Sequence, residues 1–133
     1  MANDSSLDVL IDKIKNKNAT ICVIGLGRVG LPLASVLTNS GFSVLGIDID
    51  EQKLEMIRKS VCPFYDPPLQ ENLKKSVGSG KLTVSTTISD SKIDVIILTV
   101  GTPSMEGSAD YSQLYSAINE ICTNDIFGKL ILA

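Results

Sequence analysis

Apolar positions follow two patterns along the chain, one at helical spacing and one in short continuous runs. Leu7, Leu10, Ile11 and Ile14 recur at helical spacing, which predicts an amphipathic helix capped by Ser5 or Ser6. Five later segments predict strands: "TICVI", "FSVLGID", "KLTVST", "IDVIILTV" and "KLILA". The first and the fourth are continuously apolar, as expected of strands that a parallel sheet buries on both faces.

Polar residues and prolines between these strands mark the starts of helices. Asp50 is placed to cap "EQKLEMIRKS", Asp66 and Pro67 form a cap and a first-turn proline, and Asp110 with Gln113 resembles a capping box. The predicted apolar helix faces are Val29, Leu33, Val36 and Leu37 within residues 28–39, then Leu69, Leu73 and Val77, then Tyr111, Leu114, Ile118 and Ile121. The segment "GTPSMEGSA" is predicted to be a polar loop.

The alternation of strands and helices indicates a fold class. Right-handed crossovers between such strands build an α/β fold with a Rossmann-type open, mostly parallel sheet and helices on both faces, which here ends after the fifth strand. We expect residues 1–18 to be an N-terminal helical extension and residues 19–133 to be the sheet domain, as a fragment of a longer enzyme.

Three glycines lie directly after the first strand, in "ICVIGLGRVGLPLA". In this G-x-G-x-x-G pattern Gly25 allows a tight turn, Gly27 lets a pyrophosphate approach the backbone, and Gly30 lets helix and strand pack closely. The first N–H groups of the helix then bind the phosphate charge. A strand before and a helix after the glycines favour dinucleotide binding over a merely tight turn.

An acidic residue at the end of the second strand strengthens this interpretation. Asp48 in "GIDID" lies about 20 residues after the glycines, where dinucleotide sites place the carboxylate that accepts the ribose hydroxyls. No arginine stands directly beside it in the sequence, so NAD is favoured over NADP. A Rossmann-like domain that binds FAD, S-adenosylmethionine or no ligand stays open as the alternative.

Composition excludes several partners and sites. The chain has 133 residues, a net charge of −3, three cysteines and no histidine. The charge argues against nucleic acid, no apolar run reaches the roughly 18 residues of a membrane span, and the N-terminus lacks the order of a signal peptide. The cysteines have no metal-ligand spacing, so we expect no metal, a reduced cytoplasmic setting and cysteines that serve packing.

Five blocks of the sequence resemble one enzyme family. At "VIGLGRVGLPLA", "GIDIDEQKLE", "PFYDPPLQENL", "GKLTVSTT" and "VIILTVGTP" the chain is similar to the N-terminal NAD-binding domain of the UDP-glucose/GDP-mannose dehydrogenase family. The resemblance implies an enzyme that oxidises the C6 alcohol of a nucleotide sugar to a carboxylate with two NAD, for polysaccharide biosynthesis. The "GLPLA" segment is more similar to the branch that acts on UDP-N-acetyl-D-mannosamine or UDP-N-acetylglucosamine.

The resemblance also implies roles for individual residues near the cofactor. Arg28 and Val29 fall where the family's backbone meets the pyrophosphate, and Lys53 matches a basic residue near the adenosine end. The loop after the fourth strand matches at Val100, Gly101 and Thr102, with Thr102 near the nicotinamide. The family often has glutamate where this chain has Asp66, which we interpret as a helix cap alone.

The resemblance places the family's catalytic groups outside this sequence. A nucleophilic cysteine, a lysine, an aspartate and the substrate-binding residues follow far downstream, so no catalytic residue is assigned here. We therefore expect the fragment to be inactive alone and to bind NAD weakly. The nucleotide sugar would bind through the missing domains, in an enzyme expected to be a homo-oligomer.

Two other functions remain open at this point. Dehydrogenases of the 3-hydroxyacid and 6-phosphogluconate type also begin with a "GLGxxG" turn, although "PFYDPPL" and "GTP" speak against them. A nucleotide-sensing Rossmann domain without catalysis, of the kind that regulates ion channels, would bind the cofactor without turning it over.

Overall fold

The computed structural model describes residues 2–88, 92–101, 104–105, 108–109, 112–122 and 130–132. Five helices are assigned within these ranges: α1 Ala2–Lys15, α2 Gly30–Asn39, α3 Glu51–Arg58, α4 Pro67–Gly78 and α5 Ser112–Cys122. Seven strands are assigned there: β1 Thr20–Ile24, β2 Ser43–Ile47, β3 Leu82–Ser85, β4 Val95–Leu98, β5 Ser104–Met105, β6 Ser108–Ala109 and β7 Leu130–Leu132. The five strands expected from the sequence are all present.

The main sheet contains these five strands in the order β3-β2-β1-β4-β7, and every neighbouring pair is parallel. Strand β1 lies at the centre, where Cys22 is paired with Leu45 of β2 on one side and with Ile96 of β4 on the other. The chain therefore builds one half of the sheet first and then returns to add the other half. This arrangement confirms the predicted Rossmann-type parallel sheet.

Alternate residues of each central strand contribute to two separate cores. On one face Val23 and Val44 pack with side chains of α2, α3 and α4, among them Leu31, Leu54 and Leu73. On the other face the core contains Cys22, Ile24, Ile47, Ile88, Ile93, Ile96 and two α5 residues, Ala117 and Ile121. Because both faces are covered, the central strands β1 and β4 consist almost entirely of apolar residues, as the sequence predicted. Cys22 serves packing, as expected.

The starts of α3 and α4 follow the sequence prediction. The Asp50 side chain accepts hydrogen bonds from the backbone N–H groups of Gln52 and Lys53, and the Asp66 side chain accepts one from Leu69. Each aspartate thus satisfies N–H groups that the first helical turn leaves without a partner. Both residues are helix caps.

The buried face of α2 differs from the predicted one. The helix buries Gly30, Leu31, Ala34, Ser35 and Thr38, whereas Val29 and Val36 are exposed. The prediction of Val29 and Val36 as core residues is therefore wrong. Small residues allow α2 to approach the sheet and α4 closely, and the Ser35 hydroxyl lies 2.8 Å from that of Ser76 in α4. Large apolar side chains therefore do not mark the buried side of this helix.

Strands β5 and β6 and helix α1 lie outside the main sheet. Strands β5 and β6 form a small antiparallel pair where the sequence predicted only a polar loop. Helix α1 is joined to the base of the sheet, because Lys13 Nζ lies 3.0 Å from Asp94 Oδ1 and Asp94 Oδ2 accepts from the Thr20 amide. The capping pair at Asp110 lies outside the described residues. No described helix has the length and hydropathy to cross a membrane.

Candidate functional site

The glycine turn begins at Gly25, directly after β1. Gly25 has a φ of +97°, a conformation that favours glycine, and its N–H donates to the Ile47 carbonyl oxygen at 2.7 Å. A Cβ atom at this position would lie 2.8 Å from the Thr99 carbonyl oxygen. The first glycine is therefore required by the turn itself and by the strand beside it.

Gly30 packs directly against the backbone of the turn. A Cβ atom there would lie 1.7 Å from the Gly25 carbonyl oxygen and 2.4 Å from Thr99 Oγ1, so no other residue fits without moving the backbone. The Thr99 hydroxyl lies 2.7 Å from the Gly25 carbonyl oxygen and 3.1 Å from that of Ile24, and it is the donor to both. Thr99 thus binds the end of β4 to the turn. Sequence reasoning missed this residue, whose one signal is a threonine at the end of an apolar strand.

Gly27 is surrounded by open space. A Cβ atom at this position would meet nothing within 4 Å, in contrast to Gly25 and Gly30. Neither the turn nor the packing of the described residues therefore requires glycine here, and the open space leaves room for a ligand to approach the backbone. The predicted roles of Gly25 in the turn and of Gly30 in close packing agree with this geometry, and the role of Gly27 at a pyrophosphate stays a prediction.

The N-terminus of α2 differs from those of α3 and α4. Its N-cap residue, Val29, makes no side-chain hydrogen bond, and the first turn contains no acidic residue. The helix dipole attracts an anion at this position, and no carboxylate of the first turn competes for it. Within that turn Leu31 N–H already donates to the Gly27 carbonyl oxygen at 3.0 Å, and Pro32 has no N–H. A pyrophosphate group fits both this helix end and the open space at Gly27.

Asp48 lies at the carboxyl end of β2 and accepts hydrogen bonds through both carboxylate oxygens. Oδ2 accepts from the Leu26 amide at 2.9 Å, and Oδ1 accepts from the Asp50 amide at 2.9 Å. Burial alone would raise the pKa of Asp48, but these two amides and Lys53 outweigh burial and hold the pKa below its ordinary value. The carboxylate is therefore charged at neutral pH and tied to the glycine turn.

Lys53 contacts this carboxylate from the first turn of α3. Its Nζ atom lies 3.0 Å from Asp48 Oδ2. The Lys53 side chain is 25% exposed and that of Asp48 is 11% exposed, so the pair is shielded from bulk water. The family resemblance implies that Lys53 lies near the adenosine end of a cofactor. The structure adds that Lys53 is the counter-ion of Asp48.

A cavity of about 310 Å³ joins the carboxyl ends of the central strands. It is lined by Ile24, Gly25, Ile47, Asp48, Ile49, Thr86, Val100, Ser112, Ser116 and Ala117. Three of the residues singled out from the sequence, Gly25, Asp48 and Val100, thus line one cavity. The α5 residues and Thr86 were not predicted, because their contribution depends on how α5 and β3 pack against the sheet.

The candidates Arg28, Val29 and Gly101 are not among the residues that line this cavity. Val29 is 69% exposed, Gly101 is also exposed, and Thr102 lies outside the described residues. The Arg28 guanidinium lies 4.9 Å from the centre of the Phe64 ring, a cation–π distance. The proline-rich loop therefore contacts the glycine turn, a contact that the sequence did not predict.

Comparison with known proteins agrees with this geometry. Residues 19–132 match the model of the UDP-glucose/GDP-mannose dehydrogenase family, NAD binding domain. The chain is 47% identical to an uncharacterized protein of Methanocaldococcus jannaschii, over 76% of this chain and 11% of that protein. It is 38% identical to the UDP-N-acetyl-D-mannosamine dehydrogenase of Methanococcus vannielii, over 89% of this chain and 28% of that enzyme.

A solved structure shows the same architecture. The UDP-N-acetyl-mannosamine dehydrogenase of Staphylococcus aureus superposes with a TM-score of 0.78 and 34% sequence identity, over 85% of this chain and 28% of that enzyme. The chain thus spans between 11% and 28% of the length of these relatives. A family model that matches most of the chain, together with the parallel sheet and its glycine turn, leads to one conclusion: the chain belongs to the UDP-glucose/GDP-mannose dehydrogenase family, of which it is an NAD-binding domain.

Proposed function

We propose that this chain is the cofactor domain of a nucleotide-sugar 6-dehydrogenase that oxidises a UDP-N-acetylhexosamine, with UDP-N-acetyl-D-mannosamine as the first candidate. The observation that carries the proposal is the open space at Gly27, between an uncapped helix end and the Asp48 carboxylate. The relatives that bear this substrate in their names, and the "GLPLA" segment, support the choice of sugar. The uronic acid product would supply polysaccharide biosynthesis.

In this proposal each candidate residue contacts a different part of NAD. The Gly27 backbone and the first turn of α2 hold the pyrophosphate, with Arg28 and Val29 at its border. Asp48 accepts the adenosine ribose hydroxyls, and Lys53 lies beside it. Val100, Gly101 and Thr102 form the nicotinamide side. The proposed location of NAD follows from the sheet, because ligands of open α/β folds lie beyond the carboxyl ends of the strands.

The proposed reaction needs more groups than this chain contributes. Oxidation of a C6 alcohol to a carboxylate transfers two hydrides, one to each of two NAD molecules, and takes its second oxygen from water. By resemblance, a downstream cysteine thiol adds to the intermediate aldehyde and forms a thiohemiacetal. The second hydride transfer to NAD oxidises this adduct to a thioester, and water hydrolyses the thioester to the carboxylate and frees the thiol. The described residues of this chain hold and orient the cofactor, and the nucleotide sugar binds to the rest of the enzyme.

The direct test uses the complete protein. Incubation with NAD and UDP-N-acetyl-D-mannosamine should produce NADH, seen by its absorbance, at two molecules for each sugar oxidised. UDP-glucose, UDP-N-acetylglucosamine, GDP-mannose and 6-phosphogluconate are the matched substrates. NADH formed from 6-phosphogluconate but from none of the nucleotide sugars would reject the proposal.

A second arm of the test addresses the fragment and the non-catalytic alternative. The isolated 133-residue chain should bind NADH weakly and show no turnover with any of these sugars. If the complete protein binds NADH but oxidises none of the sugars, the nucleotide-sensing function is favoured instead. Turnover by the isolated chain would overturn the assignment of the catalytic groups to other domains.

We further propose that the complete enzyme is a homo-oligomer that works in the cytoplasm without a nucleic acid or membrane partner. The outer side of α1 supports subunit packing, because Leu7, Ile11 and Ile14 share one helical face and remain exposed. Light scattering of the complete protein gives its mass in solution, and a monomer at micromolar concentration would reject this part of the proposal.

A further inference from the structure

The acid that would select NAD carries its own counter-ion. Lys53 Nζ and Asp48 Oδ2 are 3.0 Å apart. Asp48 also borders the cavity next to Ile49 and Thr86, at the end of the cavity that the proposed function gives to the adenosine ribose. Lys53 is not among the residues that line the cavity, but its ammonium group contacts the carboxylate that does, so the positive charge lies directly behind this end of the cavity.

No second cation competes with Lys53 for this carboxylate among the described residues. Arg58, which also belongs to α3, bonds to Glu51 at 2.6 Å, to Glu55 at 3.4 Å and to the Val84 carbonyl oxygen at 3.3 Å. The Asp48 carboxylate has Lys53 as its salt-bridge partner there. Lys53 is therefore the cationic side chain in contact with Asp48 among the described residues.

The two dinucleotides differ at the atom that this pair would face. NADP carries a phosphate on the adenosine ribose where NAD carries the 2′-hydroxyl. A carboxylate accepts a hydrogen bond from the hydroxyl and repels the phosphate, whereas a cationic side chain at the same place binds the phosphate. An ion pair therefore combines one group that rejects NADP with one group that attracts it.

We propose that Lys53 is a latent ligand for a 2′-phosphate, and that Asp48 alone directs this cavity to NAD. Removing the Asp48 charge releases the ammonium group, and the cavity then prefers NADP. The proposal rests on the proposed function, because it assumes that the adenosine ribose binds beside Asp48.

The surroundings of the Asp48–Lys53 pair have room for the 2′-phosphate of NADP. Ile49 is 81% exposed, so the cavity opens to solvent beside Asp48. The Leu26 and Asp50 amides, which now bond to Asp48, point toward the same position as Lys53. Asn in place of Asp48 has nearly the same size and keeps an acceptor oxygen for one of these amides. The substitution Asp48→Asn therefore changes the charge with little change in shape.

The test compares four proteins: the unchanged full chain, Asp48→Asn, Lys53→Met and the double variant. Calorimetry gives the dissociation constants of NADH and NADPH for each. The unchanged chain should prefer NADH. Asp48→Asn should bind NADPH more tightly than NADH, because its affinity for NADPH should rise by about ten- to a hundredfold. This increase is the usual size of a charge-assisted hydrogen bond. The double variant should lose that gain.

Lys53→Met provides an independent reading that leaves Asp48 in place. Without its counter-ion the carboxylate repels the 2′-phosphate more strongly, so the preference for NADH over NADPH should rise about tenfold. This arm decides the proposal if Asp48→Asn fails to fold, which circular dichroism and thermal unfolding detect. A preference that stays unchanged or falls in Lys53→Met would overturn the proposal.

Salt and pH separate a phosphate contact from a general structural effect. The gain in NADPH affinity in Asp48→Asn should shrink as NaCl rises. It should also shrink below a pH of about 6, where the dianion of a phosphate monoester takes up a proton and becomes the monoanion. Equal NADPH affinity in Asp48→Asn and the double variant would overturn the role of Lys53. An unchanged chain that binds neither NADH nor NADPH would instead reject the proposed function.

Discussion

The three glycines of the turn meet different surroundings. Gly25 and Gly30 lie against backbone atoms of the turn and of the segment after β4, whereas Gly27 has no neighbour within 4 Å of an added Cβ atom. Gly25 and Gly30 are therefore required for folding, whereas the packing of the described residues does not require Gly27, which the proposed function assigns to pyrophosphate binding. Replacing glycine should therefore lower folding stability at one position of the turn and cofactor affinity at another.

Alanine substitutions should separate these costs. Gly30→Ala places a methyl group against the Gly25 carbonyl oxygen and should lower the free energy of unfolding by about 3 kcal/mol. Gly27→Ala should change it by less than about 0.5 kcal/mol but weaken NADH binding about tenfold or more. Urea unfolding and calorimetry measure the two quantities. Equal loss of stability in both variants would contradict this division.

Asp48 should also make stability depend on acid pH. Its pKa is lowered in the folded chain from an ordinary value of 3.8, so the charged form stabilises the fold above about pH 4. That contribution is lost as pH falls through the folded-state pKa. Urea unfolding between pH 5 and pH 2.5 should therefore show a steeper decline for the unchanged chain than for Asp48→Asn. Parallel curves would show that the carboxylate contributes nothing to this decline.

Residues with a backbone role were predictable, and side-chain partnerships were not. Gly25 and Asp48 follow from spacing, because a turn after a strand and an acid after the next strand must meet at one edge of a parallel sheet. The bond from Lys53 to Asp48 depends on which rotamer a long flexible side chain adopts. The Thr99 bridge depends on the approach of β4 to β1, which one residue type cannot reveal.

Helix α2 begins differently from helices α3 and α4. Helices α3 and α4 each begin with an aspartate that accepts backbone hydrogen bonds, whereas α2 begins with Val29 and has no side-chain cap. A capping carboxylate at α2 would occupy the N–H groups and oppose the charge of a pyrophosphate. The missing cap is therefore consistent with the proposed binding of a pyrophosphate at the N-terminus of α2.

Removing a structural cap should affect stability alone. Asp66→Ala leaves the Leu69 amide without its partner and should lower the free energy of unfolding by about 1 kcal/mol. NADH affinity should stay unchanged, because the role of Asp66 is local to α4. Asp66→Asn, which retains a capping oxygen, is the matched control. A loss of cofactor affinity in Asp66→Ala with Asp66→Asn unaffected would indicate a further role.

Element positions were predicted better than element faces. Helix starts at Asp50 and Asp66 follow from local hydrogen bonding, which the sequence displays directly. The buried face of α2 does not, because close packing against α4 selects Ser35 and Ala34 over the larger Val36. Burial of a hydroxyl is tolerated only with a partner, and that partner, Ser76, is 41 residues away.

At the scale of the whole molecule, the order of the strands positions the cavity. The chain runs outward from β1 to β3, then returns to place β4 on the other side of β1. The crossover connections therefore leave in opposite directions, and a crevice opens between the ends of β1 and β4. Gly25 and Val100 line the cavity at that crevice.

Ligand binding should consequently stabilise the whole sheet. At a NADH concentration a hundred times the dissociation constant, the free energy of unfolding should rise by about 2.7 kcal/mol, and the midpoint of thermal unfolding should rise with it. Gly27→Ala serves as the control, since it should fold normally and show a smaller shift at the same concentration. The same shift in both proteins would mean that NADH binds elsewhere.

The Thr99 bridge also sets the time at which the site can exist. The hydroxyl that holds the Ile24 and Gly25 carbonyl oxygens belongs to a residue 75 and 74 positions later in the chain. At ribosomal rates, about 4 to 15 s separate the synthesis of these two parts. During that interval β1 and its turn have no β4 to pair with. The turn therefore lacks this hydroxyl donor until Thr99 has been synthesised, and we expect it to reach its final geometry only after β4 has paired with β1.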